Sequence, residues 1–260
     1  MSLVGMSDQS DERRSQFESE ALHLVSAAAG KGITLRLLGS LAFKLHCPKY
    51  GFLQKQLGRA FTDIDTAAYQ QQAAQMTPFF LGLGYQEDAE INLLFAGQRM
   101  IYNHPGLGIH VDVFFDKLNF CHEISWTRRL ESDSPTIPLA EMLLEKMQIV
   151  KINEKDIIDT IMLLLEHPLG DGDLETINIA RISSLCAQEW GLWRTVTMNL
   201  EKVAQMGQSY SDLSAADRAR LAAQVETALK RINDAPKPLA WKLRARVGDR
   251  VKWYQEVEEV

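Results

Sequence analysis

Apolar and polar positions alternate with two different periods along this chain, and the period changes near residue 135. From Ser10 to about Ala29, Phe17, Ala21, Val25 and Ala28 recur at spacings of three and four, which predicts a helix ended by Gly30 and Gly32. "ITLRLL" (33–38) reads as a strand that turns at Gly39-Ser40 into a short helical stretch, "LAFKLH". Residues 47–60, "CPKYGFLQKQLGRA", carry Pro, two Gly and the cations Lys49, Lys55 and Arg59, and read as a loop. "FTDIDTAAY" (61–69) is a second strand, followed by a helix over about 70–83. "QRMIYNH" and "IHVDVFF" flank "PGLG" and predict a hairpin, and "NFCHEI" adds a short further strand. After Pro138 the helical period dominates, with helices expected near 139–150, 154–166, 174–187, 190–206, 214–233 and 239–256.

The fold class that follows is α+β: a mixed β-sheet with flanking helices over residues 1–135, then an all-helical half over 136–260. At 260 residues and 46% hydrophobic content, the chain has the composition of an ordinary globular protein with a sizeable core. Its net charge of -6 argues against broad, sequence-blind binding of nucleic acid. Cys47, Cys121 and Cys186 lie far apart with no CxxC pair, which suggests neither a zinc ribbon nor a disulfide framework. With no membrane-length apolar run and no apolar core at its start, the chain is expected to be cytoplasmic, with no membrane partner.

Charge inside the strands changes the picture further. Asp63 and Asp65 sit one residue apart in a run that otherwise reads as buried, and residues i and i+2 of a strand share a face. Two carboxylates so close repel each other unless a cation lies between them. Asp112, between Val111 and Val113, repeats the isolated-charge pattern on the hairpin. Hard oxygen ligands suit Mg²⁺ or Mn²⁺, and a third acid on a neighbouring strand would complete a two-metal site. Gly39 allows close backbone approach, and Ser40 adds a hydroxyl beside amides at a helix start, a natural place for phosphate oxygens. Each part also has a plain reading: Gly-Ser as a turn, Asp63 and Asp65 as cap and turn residues, Asp112 as an ion pair with Arg99. Only all three in this order point to one site.

"LLGSLAFKL", "TDIDTAAY" and "HVDVFF" resemble the Gly-Ser, paired-acid and third-acid motifs of the polymerase-β-like nucleotidyltransferase superfamily, over roughly residues 33–117. The resemblance implies Gly39 and Ser40 on the triphosphate of a nucleoside triphosphate donor, and Asp63, Asp65 and Asp112 as catalytic metal ligands. The family's usual pair of glycines is here Leu38-Gly39, and 23 positions separate Ser40 from Asp63, which implies an inserted loop over 47–60. "LAEMLLEKMQIVKINEKDIIDTIMLL" is similar to the segment after the catalytic domain in nucleotidyltransferases of the abortive-infection (AbiEii-like) toxin type. That similarity matches Lys146, Lys155, Asp156 and Asp159 and makes Lys146 a phosphate-binding candidate, against the plain reading of an exposed helix with ordinary ion pairs; Asp156 and Asp159, one turn apart, read as buttressing or capping residues. The implied function is transfer of a nucleoside monophosphate to an acceptor: a small molecule, an RNA or a protein. The alternatives are a non-catalytic nucleotide-binding protein that keeps the fold, and the toxin of a toxin–antitoxin pair. His110, two before Asp112, shares its strand face and reads either as bordering the site or as a surface histidine without a role; His104, Cys121 and His122 lack zinc-ligand spacing, and the tryptophans read as core.

Overall fold

A computed structural model of the chain describes residues 3–58, 60–95 and 97–256, with side chains from residue 11 onward. In chain order the elements are α1 (Leu3–Gly30), β1 (Leu35–Leu37), α2 (Gly39–His46), α3 (Phe52–Gln56), β2 (Asp63–Ala68), α4 (Ala73–Gly82), β3 (Gln86–Glu87) and α5 (Ala89–Leu94). They continue as β4 (Arg99–His104), β5 (Ile109–Phe115), β6 (Lys117–Asn119), β7 (Glu123–Ser125), α6 (Leu139–Met147), α7 (Glu154–Glu166), β8 (Leu169–Gly170) and β9 (Ile177–Asn178). Four helices follow: α8 (Ile179–Gln188), α9 (Trp190–Ser209), α10 (Ala215–Asp234) and α11 (Leu239–Val247). The chain forms two compact units: Met1–Leu45 with Gly58–Lys117 and Ser125–Ile137, and His46–Leu57 with Leu118–Ile124 and Pro138–Val260.

The first unit is built on a five-stranded mixed sheet of order β1-β2-β5-β4-β3. Only the β2–β5 pair is parallel; the others run antiparallel. One face is apolar. Ile64, Val111 and Val113 are fully buried there, and Tyr102 stacks on Phe80 of α4 with ring centroids 4.1 Å apart. Such a pair contributes about 0.5–1.5 kcal/mol beyond its buried area. Tyr85 packs edge-on against Phe80 and donates to Glu20 of α1 (2.8 Å), so both long helices lie over this face. At the open edge of β1, residues 135–137 take up the unpaired backbone groups: Leu37 donates to the Pro135 carbonyl and Ile137 to the Leu37 carbonyl, each at 2.9 Å.

In the second unit, every residue of α6 and the inner stretch of α7 from Asp156 to Leu165 are buried. Their last carbonyls, which a helix leaves without internal partners, are met by side-chain amides. Asn199 of α9 donates to Met147 (2.9 Å) and Ile149 (2.8 Å), and Gln224 of α10 donates to Leu164 (2.9 Å) and His167 (3.0 Å). Asn153, Asn178 and Ser214 accept at the first turns of α7, α8 and α10.

Three local expectations change. The segment read as a loop contains α3, because Tyr50 and Leu53, three apart, are both buried and hold the turn against the second unit's core. Lys49 lies over the Tyr50 ring (5.1 Å), Lys55 is exposed, and Arg59 lies outside the described residues. The helix expected over 239–256 stops at Val247, where Gly248 adopts φ +60, a conformation that ends the helix. Its basic run is spent partly on backbone, since Arg244 donates to the carbonyls of Gly248 and Val251 at 2.8 Å. Between α4 and the hairpin lie β3 and α5, which apolar periodicity does not reveal. α5 is started by Asp88, which caps Ile91 (3.2 Å), and held by Asn92, which accepts from Ile101 (2.6 Å).

Candidate active site

The second face of the sheet carries the charges. β2 and β5 run parallel with Asp63 opposite His110 and Asp65 opposite Asp112. β4 adds Asn103 opposite His110 and Ile101 opposite Asp112. Residues facing each other across a ladder share a face, so Asp63, Asp65, His110, Asp112, Arg99 and Asn103 all project to one side. A hydroxyl locks the register from the opposite side: Thr66 donates to the backbone carbonyl of Asp112 at 2.7 Å.

Asp63, Asp65 and Asp112 each bring a carboxylate oxygen within 4.8 Å of the other two. Asp112 is 3% exposed, and Asp63 and Asp65 are half-buried. Among the described residues no other group of three His, Cys, Asp or Glu side chains meets this closely. The donor set is all hard oxygen, its charge is uncompensated by the triad itself, and its spacing matches what small divalent cations bridge. The residues fit Mg²⁺ or Mn²⁺.

Gly39 stands against this cluster with φ +67, and a Cβ there would lie 2.3 Å from Asp65 Oδ2. Both the left-handed backbone and the lack of a side chain are therefore required. The approach is fixed by Leu38, whose amide donates to the Asp65 carbonyl at 3.0 Å. Ser40, half-buried, is the next residue, so the first amides of α2 open beside Asp65. A helix start carries partial positive charge, which favours phosphate oxygens.

Asp112 has two protein partners as well. Arg99 Nε lies 2.8 Å from Oδ1, and His110 Nε2 lies 3.5 Å from Oδ2. Burial raises the Asp112 pKa, but the hydrogen bonds and charges of His110 and Arg99 outweigh it and leave the carboxyl below its usual range. His110 shifts upward, chiefly through its hydrogen bond to Asp112 and against the effect of burial. Its other ring nitrogen meets Asn103 Oδ1 at 2.8 Å. The ion pair with Arg99, the plain reading of Asp112, is thus present, and it coexists with the triad. Asn103 escaped the sequence reading, although the "PGLG" hairpin sets it opposite His110.

No protein-family model matches the chain, and no curated protein does. Among solved structures, the chain is similar to the antibiotic-resistance factor ANT(2'')-Ia, at 13% identity over 67% of this chain and 95% of that one, with a TM-score of 0.40. It is also similar to an antigenic nucleotidyltransferase-like protein from Paracoccidioides brasiliensis, at 15% identity over 78% of this chain and 92% of that one, with a TM-score of 0.42. Likeness of this order decides neither family nor chemistry.

The remaining candidate, Lys146, belongs to the second unit. It is 7% exposed, and its Nζ lies 3.3 Å from Glu145, 3.3 Å from Asp156 and 3.5 Å from Asp159. Asp159 also accepts from Gln54 at 2.7 Å, while the Asp156 amide is capped by Asn153 at 3.0 Å. Lys146 thereby joins α6 to α7. The tryptophans pack on one another: Trp190, Trp193, Trp241 and Trp253 form a chain of ring contacts of 5.1–6.3 Å, with Arg244 4.2 Å over Trp190. His122 bonds Thr195 at 2.9 Å and approaches Glu189 at 3.4 Å. Among the described residues no helix is long and apolar enough to cross a membrane.

Proposed function

We propose that this chain is a divalent-cation-dependent nucleotidyltransferase that moves a nucleoside monophosphate from a nucleoside triphosphate to an acceptor hydroxyl. One observation carries the reading: three carboxylate oxygens within 4.8 Å of one another beside a glycine where a Cβ would lie 2.3 Å from one of the acids. Three carboxylates held this close repel one another, and Arg99 and His110 reach only Asp112 among them, so a bound cation would complete the site. Mg²⁺ or Mn²⁺ held by Asp63, Asp65 and Asp112 would supply charge neutralisation at the α-phosphate and the departing pyrophosphate.

The protein's own part is positioning and charge. The amides and hydroxyl of Gly39-Ser40 receive the donor's phosphate oxygens. Asp112, held ionised, accepts a hydrogen bond from the acceptor's hydroxyl and orients that oxygen toward the α-phosphorus. A new O–P bond forms, the bond from that phosphorus to the β-phosphate oxygen breaks, pyrophosphate leaves, and the hydroxyl proton passes by way of Asp112 to solvent.

A second reading, a nucleotide-binding protein without transfer, draws on the pairing of both Asp112 oxygens with Arg99 and His110. One titration distinguishes them. Thermal unfolding is followed with each of the four ribonucleoside triphosphates, with and without Mg²⁺, on the wild type and on Asp63→Asn/Asp65→Asn. A ligand at about 100 times its dissociation constant stabilises a fold by about 2.7 kcal/mol. Metal-dependent stabilisation, lost in the double variant and accompanied by pyrophosphate release when an acceptor is supplied, supports transfer. Stabilisation without pyrophosphate release from any acceptor tried supports the second reading, and no stabilisation contradicts both.

A further inference from the structure

We propose that Arg99 anchors the acceptor, and that the acceptor therefore carries an oxyanion, a phosphate or carboxylate group, near the hydroxyl it offers. The inference rests on the nucleotidyltransferase reading and deepens it.

Across the charged face the order is Gly39 against Asp65 on β2, then Asp112 on β5, then Arg99 on β4. In phosphoryl transfer the attacking and leaving oxygens lie roughly in line on opposite sides of the phosphorus. If the departing pyrophosphate rests on Gly39-Ser40, the acceptor enters from the side of Asp112 and β4. Arg99 stands there. It meets Asp112 through Nε alone, and its guanidinium lies 5.3 Å over the Phe114 ring. Among the described residues no partner engages its two terminal amino groups, and 26% of its side chain is exposed. A guanidinium that served only to neutralise Asp112 would be best placed side-on, with two parallel N–H bonds to the carboxylate. The single contact through Nε leaves four N–H donors in a planar fork, the geometry that phosphate and carboxylate groups match. Stacking on Phe114 holds that fork in place. A cationic acceptor would meet like charge here; an oxyanion completes the arrangement.

The test uses the full chain with Mn²⁺, an α,β-methylene triphosphate to fill the donor's place, and inorganic phosphate as the probe. Phosphorus relaxation of the added phosphate reports its binding near Mn²⁺, and water proton relaxation reports Mn²⁺ binding by itself. The wild type is expected to bind phosphate close to the metal. Arg99→Gln should weaken that binding by about tenfold or more, as loss of charged hydrogen bonds does, without weakening Mn²⁺. Arg99→Lys, which keeps charge but not the fork, should fall between and serves if Arg99→Gln fails to fold. Equal phosphate binding in the wild type and the variants, or none in a wild type that binds Mn²⁺, overturns the role of Arg99. Failure of the wild type to bind Mn²⁺ overturns the metal site, and the inference with it.

Discussion

Asp65 and Asp112 stand opposite each other in register on the parallel pair β2–β5, so two carboxylates from strands 47 positions apart in sequence face one another directly. Asp63 is two residues before Asp65 on the same face, which completes a cluster of three carboxylates, with Arg99 and His110 on Asp112. Without cations, these groups repel. Asp63→Asn and Asp65→Asn are therefore expected to raise the melting temperature of the metal-free protein, by about 2–4 °C for each ~1 kcal/mol of repulsion relieved. Saturating Mg²⁺ should reverse the order, because only the wild type gains from binding. Scanning calorimetry with and without the metal checks both limbs.

The contact between Gly39 and Asp65 leads to a second expectation. Gly39→Ala forces an L side chain into a left-handed conformation, at about 1–2 kcal/mol, and drives its Cβ against Asp65 Oδ2. Denaturant unfolding should show that loss. Mn²⁺ binding should weaken too, since the added Cβ displaces the Asp65 carboxylate that belongs to the triad. Unchanged Mn²⁺ affinity would separate Gly39 from the site.

In the second unit, Lys146 is a buried cation among Glu145, Asp156 and Asp159. Removing one member of such a group leaves the others uncompensated, so Lys146→Met should cost about 3–5 kcal/mol in urea unfolding. Adding Asp159→Asn to that variant should recover part of the loss. A cost below ~1 kcal/mol for Lys146→Met would show that the ammonium does not hold α6 to α7.

Acid stability should depend on Glu189. This carboxylate accepts from the amides of Gly191 (2.7 Å) and Leu192 at the start of α9. Burial raises its pKa, but the hydrogen bonds from His122 and these amides outweigh it, so it lies below its ordinary value in the folded protein. A carboxylate with a depressed folded pKa contributes stability above its unfolded pKa and loses it as pH falls through the folded one. Glu189→Gln should flatten the acid limb of the stability profile between those two values and leave its shape near neutral pH unchanged. Unfolding free energies measured across that range decide the matter.

Much of the site was legible in the sequence because it rests on local rules. Strand periodicity puts Asp63 and Asp65 on one face, and Gly39-Ser40 follows a strand at a helix start. The hairpin around "PGLG" relates Arg99 and His110 to Asp112, whereas Asn103, on the same face, was not singled out. Less legible was whatever depends on distant packing. α3 exists because Tyr50 and Leu53 find a core in residues far along the chain, against the local weight of Pro and Gly. α5 depends on Asn92 accepting from Ile101, a contact with no periodic signature. The contact between Arg99 Nε and Asp112 is a matter of side-chain geometry, which spacing alone does not specify.

The most direct measurement is the stoichiometry of Mn²⁺ on the full chain with a non-hydrolysable triphosphate, by calorimetric titration of the wild type and of Asp63→Asn/Asp65→Asn. Two ions bound in the wild type and none in the double variant are expected from a triad built for nucleotidyl transfer. Absence of binding in the wild type, or equal binding in the variant, would contradict it.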